Sequence, residues 1–155
     1  MSELNKELVR RWVEEIFNAK RLDACDELIA PEYLEHAVAT FGHSSPGRVP
    51  GPSTMRQTAQ FIIDQFPDVV MTIESIIAEG DVVAVRLTAR GTSLGPVGGM
   101  LPPTGRSFSA GQCHWFRVED GKLAEHWAVR DDLSAMLQIG VVQPPRPPQA
   151  SQQTS

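Results

Sequence analysis

Residues 107–132 read SFSAGQCHWFRVEDGKLAEHWAVRDD. Two runs with strand-like alternation flank Glu119-Asp120-Gly121-Lys122. Asp-Gly at the centre of a two-residue turn suits type I′, which needs positive φ at both central positions, so the stretch reads as a β-hairpin. That turn predicts a register: Glu119 faces Lys122, His114 faces Trp127, Gln112 faces Val129 and Ala110 faces Asp131. Alternation then gathers Phe108, Ala110, Gln112, His114 and Phe116 with Glu125, Trp127, Val129 and Asp131 on one face. Ser109, Cys113, Trp115, Arg117, His126 and Arg130 take the other. The first face mixes large apolar groups with an amide, an imidazole and a carboxylate. Gln112 is diagonal to Asp131, roughly 7–8 Å away at the backbone. His114 is about 13 Å along the strand from Ala110, so His114 and Asp131 fit two ends of one small-molecule pocket rather than a touching pair.

Upstream of the hairpin, Leu4, Leu8, Trp12 and Ile16 recur every fourth residue, with Val9, Val13 and Phe17 beside them and charges opposite. That is an amphipathic helix to about Ala19, with Ser2 as its expected N-cap. A second helix is expected over Leu22–Ala30, ended by Pro31. Glu32-Tyr33-Leu34-Glu35-His36 is ambiguous, and 37–52 reads as a Gly/Pro/Ser-rich loop in which His43 is solvated. A third helix is expected from Pro52 or Ser53 to Gln65, stopped by Pro67. Two strands, Val69–Ala78 and Val82–Gly91, pair across Glu79-Gly80-Asp81. Residues 92–106 form a second long loop in which Met100 and Leu101 are lid candidates. Leu133–Ile139 forms a last helix with Gly140 as its C′ residue. The expected organisation is a single domain over 1–142, followed by a disordered Pro/Gln-rich tail over 143–155. Helices followed by antiparallel hairpins argue an α+β fold, with helices on one face of a curved sheet.

A net charge of −5, with both signs interspersed, gives no basic stripe for nucleic acid or for an anionic membrane surface. Two cysteines, Cys25 and Cys113, give neither metal spacing nor a disulfide framework. The polar start MSELNKEL is no secretory signal, and no run approaches the ~18 apolar residues of a membrane span, so a cytoplasmic protein is expected.

The order of elements resembles the SnoaL-like polyketide cyclases, the ester cyclase branch of the nuclear-transport-factor-like superfamily. The pieces that carry the resemblance are Pro31-Glu32-Tyr33-Leu34-Glu35-His36, Gly121-Lys122-Leu123-Ala124-Glu125-His126-Trp127, the Asp131 four residues after Trp127, and Gln112-x-His114. It covers Leu4 to Val142. The resemblance implies a cone-shaped α+β barrel, with three N-terminal helices packed on a curved antiparallel sheet around an apolar pocket. It also implies a homodimer through the open side of the sheet. By the same resemblance, Asp131 is a general acid/base for intramolecular aldol closure of an apolar carbonyl substrate, working without metal or cofactor. His114 joins it as a catalytic residue and Gln112 helps to hold the substrate; His36, at the edge of its short segment, is read as a further polar, substrate-binding wall residue. A hydrolase, isomerase or dehydratase of the same fold, or a non-catalytic small-ligand binder, is the alternative.

Aldol chemistry needs a base that takes a proton α to a carbonyl and donors for the enolate. Among Trp127, Val129 and Phe108 a carboxylate is desolvated and its pKa rises toward neutrality. A neutral His114 or the Gln112 amide supplies an oxyanion donor. Each residue also has a plainer reading. Asp131 caps the last helix; His114 is a satisfied core histidine; Gln112 bonds a backbone group; Glu125 sits at the rim. His126, on the opposite face from Asp131, belongs to a surface or a dimer interface. Trp12, Phe17, Tyr33 and Trp127 are core or pocket lining, which pattern does not separate. A charge at Arg130 suggests a polar outer face. Four scattered histidines without H-x-x-x-H argue against a metal site.

Overall fold

The hairpin forms in the structure, a computed structural model that describes residues 1–38 and 46–148. Asp120 and Gly121 hold φ of 49° and 71°, the two positive values that type I′ requires. In chain order the elements are α1 (Ser2–Arg11), which continues as a π-helical stretch (Trp12–Asn18), α2 (Ala24–Leu28), β1 (Ile29–Glu35), β2 (Gly47–Pro50), α3 (Gly51–Gln65), β3 (Val70–Glu79), β4 (Val82–Thr92), β5 (Ser107–Glu119), β6 (Lys122–Arg130) and α4 (Asp132–Ile139). The strands form one six-stranded sheet in the order β2-β1-β6-β5-β4-β3. The α+β class therefore holds. The sheet is mixed rather than wholly antiparallel, because β1 pairs parallel with β6. No tight turn joins β1 to β6, so nothing forces them antiparallel.

The ambiguous segment after α2 is this strand. Pro31 lies inside β1 rather than ending a helix, in the stretch where pairing with β6 is irregular between Ile29 and Leu34. A residue without an N–H is tolerated there. Likewise, part of the expected 37–52 loop is the short strand β2. The first helix is rotated from its expected stripe. Leu4 is exposed, Asn5 is buried, and Met1 rather than Ser2 is the cap, with no side-chain bond. Val9, Trp12, Val13, Ile16 and Phe17 carry the buried face, and together with Leu28, Leu87, Phe116, Leu123 and Ile139 they form the core between helices and sheet. Gly140 ends α4 at φ 82°, as expected of a C′ glycine.

The decisive departure lies in the hairpin itself. Glu119 pairs with Lys122 and Val118 with Leu123, but Arg117 then pairs with Glu125, so Ala124 is an extra residue in β6. Such a bulge shifts the partner strand by one, and a shift of one exchanges its two faces. Phe116 consequently faces His126, His114 faces Ala128 and Gln112 faces Arg130.

Beyond α4, residues 143–148 form no helix or strand, and the rest of the expected tail, 149–155, lies outside the described residues, as does His43. Among the described residues, no helix is long and apolar enough to cross a membrane.

Candidate active site

A cavity of about 160 Å³ lies between the helices and the inner face of the sheet. Trp12 and Phe17 enter from the π-helical stretch, Met55 and Ile62 from α3, Phe108 and Ala110 from β5, and Met136 from α4. The π-helical turn sits where the first helix meets the cavity, a common place for that distortion. Trp12 stands at the centre of the aromatic wall, edge-on to Phe17 and to Phe116, with ring centroids 4.9 Å away in each case. Its indole Nε1–H points to Met55 Sδ at 3.5 Å.

Against this apolar lining runs one polar line. Glu35 Oε1 is 2.8 Å from His126 Nδ1, His126 Nε2 is 2.9 Å from His114 Nδ1, and His114 Nε2 is 2.9 Å from Gln112 Oε1. All four residues line the cavity, and Glu35, His114 and His126 are buried. Three strands position them: β1 supplies Glu35, the bulge turns His126 inward from β6, and β5 presents His114 and Gln112 two residues apart. The Ala37 backbone N–H donates to Glu35 Oε1 at 2.8 Å and helps to fix the carboxylate. Burial, then the neighbouring His126 and Arg130, hold the His114 pKa well below the usual imidazole value of 6.5.

Matching donors to acceptors restricts the protons on this line. The Glu35 carboxylate only accepts, so His126 Nδ1 carries a proton. One further proton is shared between His126 Nε2 and His114 Nδ1. If it sits on His114, that ring is neutral with a lone pair at Nε2, and the Gln112 amide has to turn over so that its N–H replaces Oε1 against that lone pair. If it sits on His126, that ring is an imidazolium against Glu35, and His114 Nε2–H donates to the Gln112 oxygen. The two arrangements differ by one proton gained at His114 Nε2 and one shift between the rings. The line can thus accept a proton at the cavity and store the charge beside Glu35.

The expected site residues divide. His114, Gln112, Trp12, Phe17 and Tyr33 line the cavity. Trp127 and His36 do not: their rings stack on each other, 4.8 Å apart and 2° from parallel. His36 also meets Glu125 at 2.8 Å, and Glu125 is held by Arg117 at 2.7 Å, which keeps the Glu125 pKa below the ordinary carboxylate value. Asp131 is exposed, and its carboxylate accepts the Ser134 N–H at 3.1 Å as the N-cap of α4. The bulge explains both outcomes. It turns Glu125 and Trp127 away from the cavity and turns His126 and Arg130 into it. Arg130 donates from Nη2 to the Val38 carbonyl at 2.6 Å, and Asp132 rather than Asp131 reaches the cavity lining. Met100 and Leu101 are exposed and are not among the lining residues.

Sequence reading missed Glu35 and gave His126 to the wrong face. The signal that would have found the bulge is Leu123-Ala124, two adjacent apolar residues that break the alternation, and both are buried. Among the described residues, no group of three or more His, Cys, Asp or Glu is arranged to hold a metal ion.

Asp131→Ala removes only a cap by this geometry. We expect it to lower unfolding free energy by about 1 kcal/mol in chemical denaturation while kcat of the chain's reaction stays within about twofold of the parent, a change worth less than ~0.5 kcal/mol.

A scaffold of helices on a six-stranded sheet, enclosing an apolar cavity with a buried His–His–carboxylate line, defines a class: small proteins built to hold a small molecule against polar groups. Comparison with known proteins gives the family. Residues 7–139 match the SnoaL-like polyketide cyclase family, and the chain belongs to it. It is 34% identical over 125 residues to a nogalonic acid methyl ester cyclase of Streptomyces nogalater, covering 80% of this chain and 89% of that one. It is 33% identical over 135 residues to an aklanonic acid methyl ester cyclase of Streptomyces peucetius, covering 86% and 89%. Among solved structures, IdmH of Streptomyces antibioticus superposes with a TM-score of 0.74 at 34% identity, covering 88% of this chain and 98% of that one. A protein with a ketosteroid isomerase-like fold from Catenulispora acidiphila, 17% identical with a TM-score of 0.67, shares the fold.

Proposed function

We propose that this chain is a cofactor-independent polyketide cyclase that closes a ring in a polyketide methyl ester by an intramolecular aldol reaction. The observation that carries the reading is the Gln112–His114–His126–Glu35 line along an apolar cavity. Family membership and the ester cyclase relatives support the substrate class. In the reaction, His114 Nε2 takes a proton from a carbon α to a carbonyl, and the C–H electron pair becomes an enolate. The His114 Nδ1 proton moves to His126 Nε2, and the imidazolium rests against Glu35. The enolate carbon then attacks a second carbonyl of the same molecule, and a C–C bond forms. The alkoxide recovers a proton from His114 Nε2–H as the shift reverses. No water is gained or lost. This assigns to His114 the proton transfer that the family resemblance carried to Asp131. A homodimer through the outer face of the sheet, where Ile77 and Val129 are exposed, accords with the same reading, as does a cytoplasmic setting.

Incubation with aklanonic acid methyl ester, followed by liquid chromatography and mass spectrometry, tests it. The expected result is a ring-closed product of unchanged mass. A product changed by one water points to a hydratase or hydrolase instead, and unaltered substrate with measurable binding points to a ligand carrier.

A further inference from the structure

Tyr33 stands apart from the other polar groups of the cavity. It lies on β1 two residues before Glu35 and lines the cavity. The residue is 2% exposed. Its hydroxyl is fully buried and has no hydrogen-bond partner among the described residues. A buried hydroxyl normally finds a partner, because leaving it unpaired costs free energy. The ring could have been Phe at no loss of any contact the protein makes with the oxygen. Around it, the Tyr33 ring is stacked against His126 at a centroid distance of 6.5 Å, so the ring belongs to the same wall as the proton line. On that wall Gln112 is bonded through Oε1 to His114, His114 to His126, and Arg130 through Nη2 to the Val38 carbonyl and through Nε to Asp132, whereas the Tyr33 oxygen is bonded to none of the described residues.

We propose that the Tyr33 hydroxyl is the oxyanion donor of this site, holding the substrate carbonyl oxygen that becomes the enolate oxygen when the adjacent carbon loses its proton. The chemistry requires such a group. Removing the α proton places negative charge on oxygen, and a preorganised donor in a water-poor cavity stabilises that charge more than it stabilises the neutral carbonyl. Burial and the nearby Glu35 charge hold the Tyr33 pKa well above its usual value of 10.0, so the hydroxyl keeps its proton and remains a donor. The ligand class is an enolisable carbonyl compound or its mimic, an aromatic hydroxy compound binding as the anion. The role rests on the ring-closure reading for its catalytic meaning, but not for its binding.

The test is Tyr33→Phe, which deletes one oxygen. Three readouts are compared with the parent chain. Thermal unfolding is expected to be unchanged or slightly raised, since no bond to the protein is lost; a clear drop would show that the hydroxyl has a structural partner and overturns the proposal. Binding of 2-naphtholate above its pKa, followed by fluorescence titration, is expected to weaken at least tenfold, while naphthalene binds both chains alike. Equal affinity for the naphtholate, or no binding of it by the parent chain, overturns the proposal whatever reaction the protein catalyses. With aklanonic acid methyl ester as substrate, kcat is expected to fall about 10²–10³-fold with KM little changed. If the parent chain leaves that ester untouched, the ring-closure reading fails while the naphtholate arm still decides the role of Tyr33.

Discussion

His114→Gln is expected to lower kcat by about 10²–10⁴-fold with little change in KM, measured by substrate consumption at saturating ester. Glutamine preserves a polar side chain between Gln112 and His126 but cannot take up a proton, so the loss reads the acid/base step rather than packing. The same variant has a stability signature. His114 is held neutral in the folded state by burial and by the facing His126 and Arg130, so its folded pKa lies below its unfolded value of about 6.5. The unfolded chain therefore binds the extra proton first as the pH falls. The stability that neutral His114 permits is fully present above about pH 6.5 and is lost as the pH falls from there through the folded pKa. Urea denaturation of the parent at a series of pH values should show this decline, and His114→Gln should flatten it. An unchanged acid limb would mean that His114 is protonated as readily folded as unfolded. Glu35→Gln is expected to act through the same line. It removes the charge that receives the imidazolium, so kcat falls and its pH profile shifts, while the Glu35 side chain itself touches no reacting atom.

Gly95→Ala is expected to lower unfolding free energy by about 3 kcal/mol, the largest single effect on stability. A Cβ at Gly95 would lie 1.7 Å from the Asp64 carbonyl oxygen and 2.8 Å from its carbon. That neighbour is backbone at the end of α3, with no flexible tip to swing aside. The glycine lets the 92–106 segment come close enough for the Leu94 and Gly95 N–H groups to reach the Gln65 carbonyl, at 3.3 and 3.0 Å. The Gly98 N–H also reaches the Gln65 side chain at 2.8 Å. The last turn of α3 is thereby capped by the loop, beside Gln65 and Phe66, which line the cavity. Gly111→Ala is the matched control. Its Cβ would meet nothing within 4 Å, so a change of no more than about 0.5 kcal/mol is expected. Equilibrium denaturation of the two variants side by side separates close approach from glycine content.

Much of this was legible in the chain. Asp120-Gly121 named the turn, Gly140 the end of α4, and Gln112-x-His114 a pair that shares the cavity wall. These are local signals, and local chemistry decides them. What escaped was set by pairing rather than by sequence-local preference. The strand β1 is short, contains Pro31 and pairs with a strand some ninety residues on, so nothing nearby announces it or the inward direction of Glu35. The side of the sheet on which His126 and Arg130 appear depends on whether Ala124 is counted in the ladder or left out of it. The resemblance carried a proton-transfer role to Asp131, and the helix beginning at Asp132 then uses that carboxylate as its cap.

The unpaired Ala124 acts as a phase shifter. Every residue of β6 beyond it is read in one frame by the ladder and would be read in the other if a single residue were lost from the bulge. In that second frame Glu125 and Trp127 would face the helices, while His126 and Arg130 would face outward. One chain thus stores two alternative interiors in the same nine residues of β6, selected by a residue count rather than by any side chain. Transplanting this hairpin into another scaffold, or aligning it to a relative of different length at this point, therefore has to conserve spacing before it conserves identity.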